Sequence, residues 1–303
     1  MTGTDYQSLI DAETWAFIAR TDASYPPDAA QLDVAGQRRV YDAMCAVFAQ
    51  AYPQGITAQD EVIAGIPCRR YTGAKPAIVY FHGGGFVVGG LHSHDDVCAE
   101  IAARTGCEVV SVDYRLSPEH LHPAAYDDAC AVTRAMAAEG PVILAGDSAG
   151  GNLAAAAAAG LRGQVAPLGQ VLIYPGLGGD RSKGSYLTHA QAPMLTLADV
   201  NFYAGIRHGG AEPGPDPTVA PLQATDFSGL PPTFALAAEC DPLADDAEAY
   251  AAALRAAGGE AVSVTAQGMV HGCLRARHQS ARAARAFDQI CAALSNFAQR
   301  SKP

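Results

Sequence analysis

The sequence predicts an α/β protein in which helices cover both faces of a mostly parallel central sheet. Short apolar runs alternate with amphipathic stretches of helical period over most of the 303 residues, and such alternation is typical of parallel sheets. The composition, with 49% hydrophobic and 17% charged residues, is that of a chain able to bury a full core. A third observation is local: GDSAG at 146–150 lies between an apolar run and an alanine-rich stretch, which predicts strand, turn and helix.

Helical patterns at 8–21 and 33–51 precede the first strand, and the second is the more strongly amphipathic. Residues 1–55 are therefore predicted to form an N-terminal helical cap, and residues 56–303 the main domain. Gly65 alone separates the first two strands, which predicts an antiparallel hairpin at the sheet edge. The strand candidates are 58–64, 66–71, 77–82, 107–113, 141–146, 168–174, 232–238 and 260–266. The helical patterns between the later strands are 94–105, 124–138, 150–162, 242–257 and 279–300.

The alternation breaks at about 177–217, in a stretch rich in glycine and proline that also holds large apolar side chains. An insertion of this size after a strand is predicted to form a second piece of the cap. Its bulky side chains Tyr186, Met194 and Phe202 are candidates for lining a pocket beneath it.

The net charge and the amino-acid composition argue against some classes of partner. A net charge of −11 disfavours nucleic acid and membranes, since an acidic surface repels both phosphate backbones and anionic lipids. The eight cysteines are scattered without a C-x-x-C motif, and the first residues lack a signal-peptide pattern, so the cytoplasm is the expected location. No run of 18 uncharged apolar residues is present, and a homodimer is compatible with the sequence.

Two glycine-rich motifs predict half of an acyl-transfer site. The GDSAG motif places Ser148 at the tip of a strained turn with its hydroxyl exposed, as a nucleophile requires. HGGG at 82–85 offers backbone N–H groups with no side chains in the way, and such donors can hold an oxyanion. Because a G-x-S-x-G motif can occur by chance in a chain with 31 glycines, the prediction depends on finding the general base and the acid as well.

An acyl-transfer serine needs a general base, and the base needs an acid that orients it. His271 follows the strand candidate 260–266, and Asp241 follows the strand candidate 232–238. Glu239 is the reserve candidate for the acid, and the Asp-Pro pair that begins at 241 could instead only cap a helix. Nucleophile, acid and base in this order, each after a strand, favour a catalytic triad.

The chain resembles the hormone-sensitive-lipase-like bacterial esterases, which are family IV of the α/β-hydrolase superfamily, in the subgroup with aspartate before the serine. The resemblance extends from about residue 75 to residue 275. The stretches that carry it are HGGGF at 82–86, DYRLSPE at 113–119, HPAAYDD at 122–128, GDSAGGN at 146–152, YP at 174–175, DPLAD at 241–245 and VHG at 270–272. It implies the α/β-hydrolase fold with a helical cap, and hydrolysis of carboxylic esters with short acyl chains.

The resemblance also implies roles for individual residues. The implied triad and oxyanion donors are Ser148, Asp241 and His271, and the N–H groups of Gly83, Gly84 and Ala149. Residues expected to support these groups or to line the pocket are His82, Gly85, Phe86, Asp147, Glu239 and Leu243. Cys273 departs from the family pattern, which has a bulky aromatic residue two positions after the histidine, and it is expected to widen the pocket.

Other functions stay open. An enzyme of the same fold that acts on amides, lactones or acetylated xenobiotics would use the same residues, whereas a non-catalytic small-ligand receptor would lack a working histidine. His92 and His94 could suggest a metal, but residues two apart on a helix point about 200° apart, so a helix start is favoured. The sequence therefore implies a small-molecule ester substrate, no cofactor and no metal.

Overall fold

A computed structural model describes residues 4–211 and 213–301. Residues 1–3, 212 and 302–303 lie outside the described residues. They belong to the predicted cap segment 1–55, the predicted insertion 177–217 and the predicted main domain 56–303. None of the described helices is both long and apolar enough to cross a bilayer.

A single eight-stranded sheet forms the centre of the molecule. Its strands in chain order are β1 (Ala58–Ile63), β2 (Ile66–Tyr71), β3 (Ala74–Phe81), β4 (Cys107–Val112), β5 (Val142–Asp147), β6 (Gln170–Ile173), β7 (Thr233–Cys240) and β8 (Ala261–Val270). They lie in the order β1-β2-β4-β3-β5-β6-β7-β8. The pairs β1–β2 and β2–β4 are antiparallel, and the pairs from β4 to β8 are parallel. The predictions of a mostly parallel sheet and an edge hairpin are confirmed.

Each strand lies within a few residues of its prediction, and the largest difference is at the end of β8. The strand was expected to end at 266 but continues to Val270. Gly268 has a φ of 67°, and the register of β7 against β8 shifts between Ala238 and Cys240. The side chain of Glu239 accepts the Gly268 N–H at 2.5 Å. An irregularity that glycine permits therefore lets the strand continue.

Helices cover both faces of the sheet. The α-helices of the described residues are α1 (Tyr6–Leu9), α2 (Ala12–Asp22), α3 (Val34–Phe48), α4 (Asp95–Thr105), α5 (Ala124–Glu139), α6 (Ala149–Gly160), α7 (Ser185–Thr188), α8 (Leu197–Arg207), α9 (Ala244–Ala256) and α10 (Ala281–Gln299). In β3, Ile78 and Tyr80 belong to the core with α4 and α10, whereas Val79 and Phe81 belong to the core with α5 and α6. All four are fully buried, which explains the continuous apolar run of this strand.

Arg38 on α3 fastens the N-terminal helices to the main domain. Its guanidinium donates to the carbonyls of Val87 at 2.7 Å and Ser117 at 2.9 Å, and to both carboxylate oxygens of Glu119. Since Val87 lies just after the glycine motif at 82–85, this contact holds α3 over the loop that the motif forms.

Phe17 on α2 belongs to the core and not to a pocket. It is fully buried, and its ring meets that of Phe48 with 5.2 Å between the centroids. The burial of this pair holds α2 and α3 together and sets their position on the sheet.

Replacing Phe17 with Ala should lower the free energy of unfolding by about 3–5 kcal/mol, as large-to-small substitutions in packed cores do. Phe202→Ala is the matched control, because that ring is 47% exposed and its loss should change stability by less than about 0.5 kcal/mol. Denaturant unfolding of both variants checks the contrast. Equal losses of stability would show that α2 does not contribute to the core as described.

Candidate active site

Ser148 lies in the sharp turn between β5 and α6. Its backbone has φ 53° and ψ −116°, a conformation that residues other than glycine rarely adopt. Two glycines make the turn possible: a Cβ at Gly150 would lie 1.8 Å from the carbonyl oxygen of Phe81, and a Cβ at Gly146 would lie 2.4 Å from the backbone of Gly150. The turn therefore presses against β3 and presents Ser148 to a cavity.

Three side chains from the carboxyl ends of β5, β7 and β8 form a hydrogen-bonded chain. His271 Nε2 lies 2.8 Å from Ser148 Oγ, and His271 Nδ1 lies 2.6 Å from Asp241 Oδ2. Asp241 is fully buried, and its other carboxylate oxygen accepts the Leu243 N–H at 2.8 Å. The acid is thus held from two sides and fixes the orientation of the imidazole.

The reserve candidate for the acid, Glu239, does not contact His271. Its carboxylate instead accepts the N–H of Gly268. Successive residues of a strand point to opposite faces. Glu239 and Asp241 are two residues apart and would share a face if the strand continued, so this rule alone does not separate them. The structure places the imidazole beside Asp241.

The glycine loop provides a different pair of oxyanion donors from the predicted one. The N–H of Gly83 donates to Asp147 Oδ1 at 2.9 Å, so the prediction that it faces the oxyanion was wrong. Within the described residues, no acceptor contacts the N–H groups of Gly84, Gly85 and Ala149. All three residues line the cavity beside the serine, and their N–H groups are the donors available to an oxyanion.

A buried polar cluster supports the loop from behind. Asp147 accepts the hydroxyl of Tyr80 at 2.9 Å and lies 3.2 Å from His94 Nε2. Although burial alone raises the pKa of Asp147, the attraction of His94 and these hydrogen bonds hold that pKa well below its usual range. The predicted role of Asp147 behind the nucleophile matches these contacts. His94 was interpreted as part of a helix start, and its spacing gave no signal of this contact.

His82 fixes the same loop, as its predicted role required. Its Nδ1 lies 2.7 Å from the carbonyl oxygen of Gly83, and its ring stacks on Tyr114 with 4.3 Å between centroids. Burial lowers the pKa of His82 to about 3, so the ring stays neutral at neutral pH and does not compete with His271 as a base.

The serine opens onto a cavity of about 840 Å³ between the sheet and the helices above it. The predicted pocket residues Phe86, Tyr186, Met194 and Leu243 line it. Further lining side chains, which sequence reasoning did not assign to the pocket, are Thr21, Tyr25, Tyr41, Met44, Arg207 and Arg275. Tyr41 and Met44 lie on the apolar stripe of α3, so that stripe was the signal for them.

Two predicted pocket residues lie elsewhere. Phe202 is 47% exposed and does not line the cavity, whereas its neighbour Tyr203 does and lies against Gly85. Cys273 is 2% exposed and belongs to the core beneath the site. Cys273 does not line the cavity, and the expectation that a thiol at this position widens the pocket stays a prediction.

Asp246 on α9 holds the start of the cap insertion, and sequence reasoning did not single it out. Its carboxylate accepts the N–H groups of Leu177 at 2.7 Å and Gly179 at 3.4 Å, and the hydroxyl of Tyr186 at 3.0 Å. Burial raises the pKa of Asp246 to about 6, and these hydrogen bonds only partly offset the effect.

The two histidines at 92 and 94 bind separate partners. His92 Nε2 lies 2.7 Å from a carboxylate oxygen of Asp42, and His94 faces Asp147. Within the part of the chain that the structure describes, no group of three or more histidine, cysteine and acidic side chains could hold a metal ion.

The eight-stranded sheet and the serine in the sharp turn after β5 are typical of the α/β-hydrolase fold. A family model described as alpha/beta hydrolase fold matches residues 78–275, which is most of the chain. The chain therefore belongs to the α/β-hydrolase family.

Individual relatives agree with this assignment. The chain is 41% identical over 211 residues to Esterase LipI of Mycobacterium tuberculosis, and the match covers 65% of this chain and 65% of LipI, just under two thirds of its length. It is 33% identical over 213 residues to Ethyl acetate hydrolase of Pseudomonas putida, with 67% of each chain covered. The crystal structure of a thermostable esterase from Pseudomonas putida ECU1011 matches with a TM-score of 0.89 at 28% identity, covering 96% of this chain and 98% of that one. The resemblance to hormone-sensitive-lipase-like bacterial esterases is confirmed.

The raised pKa of Asp246 leads to a prediction about pH. A carboxyl whose folded pKa is about 6, against the usual 3.8, contributes most to stability when protonated, and this contribution is lost as the pH rises through about 6. The stability cost of Asp246→Asn should therefore be larger at about pH 5 than at about pH 7.5, by about 1 kcal/mol. Denaturant unfolding of both proteins at the two pH values checks this. A cost that grows with pH would contradict it.

Proposed function

We propose that the protein is a serine carboxylesterase that hydrolyses esters with short acyl chains through a covalent acyl-enzyme. The observation that carries the proposal is the chain of hydrogen bonds from Ser148 through His271 to Asp241, next to backbone N–H groups without acceptors. The names of its relatives, an esterase and an ethyl acetate hydrolase, support the same reaction.

In the first half of the reaction, Ser148 Oγ attacks the ester carbonyl carbon while His271 Nε2, 2.8 Å away, takes its proton. Asp241 keeps the proton of the imidazole on Nδ1 and stabilises the imidazolium that forms. The carbonyl oxygen becomes negative and accepts hydrogen bonds from Gly84, Gly85 and Ala149. Donors that are already oriented stabilise this charge without reorganisation, which is usually the largest contribution to the rate.

In the second half, the imidazolium gives its proton to the leaving alcohol and the acyl group remains on Ser148. Water then enters and His271 deprotonates it as it attacks the acyl carbonyl. The same donors hold the second oxyanion, and collapse returns the proton to Oγ and releases the acid. Every proton in this cycle passes through the imidazole, and the residues described here suffice for each step.

The alternative of a small-ligand receptor is disfavoured by the geometry. A receptor needs a pocket but has no need of a buried acid that orients an imidazole toward a serine. Amides and lactones would pass through the same tetrahedral intermediate, so a substrate panel that includes them is the measurement that ranks these substrates against simple esters.

Replacing Ser148 with Ala should lower kcat by about 10³-fold or more and abolish covalent labelling by a fluorophosphonate probe, because no other side chain carries the nucleophilic oxygen. Intact-mass measurement of the labelled protein checks the assignment. Labelling that persists in the variant would reject it.

Asp241→Asn and Glu239→Gln form a matched pair for the acid, since each replaces a carboxylate by its amide at the end of β7. Asp241→Asn should lose far more activity, because Asp241 contacts the imidazole whereas Glu239 accepts the N–H of Gly268. A greater loss in Glu239→Gln would transfer the orienting role to that residue.

We expect a preference for short acyl chains because bulky side chains line the cavity. Each methylene that fits an apolar slot gains about 0.8 kcal/mol, whereas one that collides with Tyr25, Tyr186 or Tyr203 costs about 1–3 kcal/mol, as overpacking does. Activity toward 4-nitrophenyl esters should therefore rise from acetyl, peak near butyryl or hexanoyl, and fall steeply. Faster hydrolysis of palmitoyl than of butyryl esters would show that the cap leaves an open channel.

A further inference from the structure

A buried arginine with no carboxylate partner among the described residues lies in the same cavity as Ser148. Arg207, the last residue of α8, is 6% exposed and lines the cavity with Ser148. Buried cations in proteins are normally paired with anions. Arg277 shows this: it is 5% exposed, and its guanidinium lies 2.5 Å from Asp96 and 2.7 Å from Glu100.

The groups that contact the Arg207 guanidinium are an aromatic ring, a carbonyl and an imidazole, and its two hydrogen bonds are long. The carbon of its guanidinium lies 3.6 Å from the centroid of the Phe86 ring. One terminal nitrogen donates to the Val219 carbonyl at 3.3 Å, and the other lies 3.4 Å from His122 Nδ1. Over residues 4–211 and 213–301, no carboxylate oxygen lies within 4 Å of this guanidinium, and no acceptor contacts its Nε. A guanidinium has five N–H donors, so most of them are free for a ligand.

Arg207 also stands close to the reacting groups in the structure. Phe86, on which it stacks, directly follows Gly85 of the oxyanion loop. The Val219 carbonyl that it contacts also accepts the side-chain amide of Asn152 at 2.9 Å, and the Asn152 backbone N–H donates to the carbonyl of Ser148 at 3.1 Å. Phe86 thus lies between the guanidinium and the glycine loop, and Val219 lies between the guanidinium and the first turn of α6.

A purely structural role does not account for the charge. Stacking on Phe86 and one carbonyl contact could fasten α8 through a neutral side chain, without the cost of desolvating a cation. Burial lowers the pKa of Arg207 to about 9, although the attraction of Asp216 offsets part of this effect. Asp216 makes no ion pair with Arg207, because its carboxylate is bonded to Thr218 and lies 3.4 Å from His122 Nε2.

We propose that Arg207 binds a carboxylate of the substrate, so that the preferred substrates are esters that carry an ionised acid group on the acyl or the alcohol side. This inference rests on the proposed ester hydrolysis and names the class of its substrate. The planar guanidinium matches a carboxylate with two parallel hydrogen bonds, and stacking on Phe86 leaves the edge of the guanidinium free to form them.

Two matched pairs of esters test the inference. The acyl-side pair is mono-4-nitrophenyl glutarate and 4-nitrophenyl valerate, and the alcohol-side pair is 4-carboxyphenyl butyrate and 4-carbamoylphenyl butyrate. In at least one pair, kcat/KM of the wild type should be about 10- to 100-fold higher for the anionic ester, the range for hydrogen bonds to charged groups. Arg207→Gln should remove this preference while hydrolysis of the neutral ester continues.

Arg39→Gln is the control, because it removes the same charge from an exposed position on α3 and should keep the preference. If the wild type shows no preference in either pair, or if Arg207→Gln slows both members of the preferred pair equally, the inference is overturned while ester hydrolysis stands. Absence of turnover with all four esters would overturn the proposed function itself.

A second measurement needs no variant. Free glutarate should inhibit hydrolysis of 4-nitrophenyl butyrate by the wild type competitively, at least about 10-fold more strongly than glutaramide. Equal inhibition by the two compounds would overturn the inference even if Arg207→Gln failed to fold.

Discussion

The buried carboxylate of Asp147 joins the two halves of the site. The residue precedes the nucleophile in the turn after β5, and its Oδ1 accepts the N–H of Gly83 in the oxyanion loop. Tyr80 and His94 bind the same carboxylate. Because an unpaired buried charge is costly, all of these donors must stay in place together. The Asp147 carboxylate therefore ties the glycine loop at 82–85 to the turn that carries Ser148.

The glycines at 146 and 150 make this arrangement possible, since a side chain at either would collide with backbone atoms. Their absence of side chains brings the turn close enough to β3 for Asp147 to reach Gly83. The strained backbone of Ser148 is tolerated because the surrounding strands and α6 hold it from both sides. One constraint thus positions both Ser148 and the glycine loop beside it.

Features of the fold and the site can be predicted from the sequence where they depend on residues that are near one another in the chain. The strands follow from continuous apolar runs, and Ser148, Asp241 and His271 follow from motifs at strand ends. Features that depend on the folded neighbourhood were not predictable in the same way. The N–H of Gly83 is not available to an oxyanion because it donates to Asp147, 64 residues away in the chain. Tyr203, and not Phe202, lines the cavity because that side of α8 packs against Gly85.

The acid loop also couples the cap to catalysis. Asp241 holds His271, and a few residues later Asp245 accepts the N–H of Ser185 at 2.8 Å, while Asp246 holds the first residues of the insertion. The hydroxyl of Ser185 returns to the carbonyl of Pro242. A displacement of the insertion would therefore act on the loop that orients the imidazole. Hydrogen bonds from the segment 241–246 thus reach both the imidazole of His271 and the first residues of the insertion.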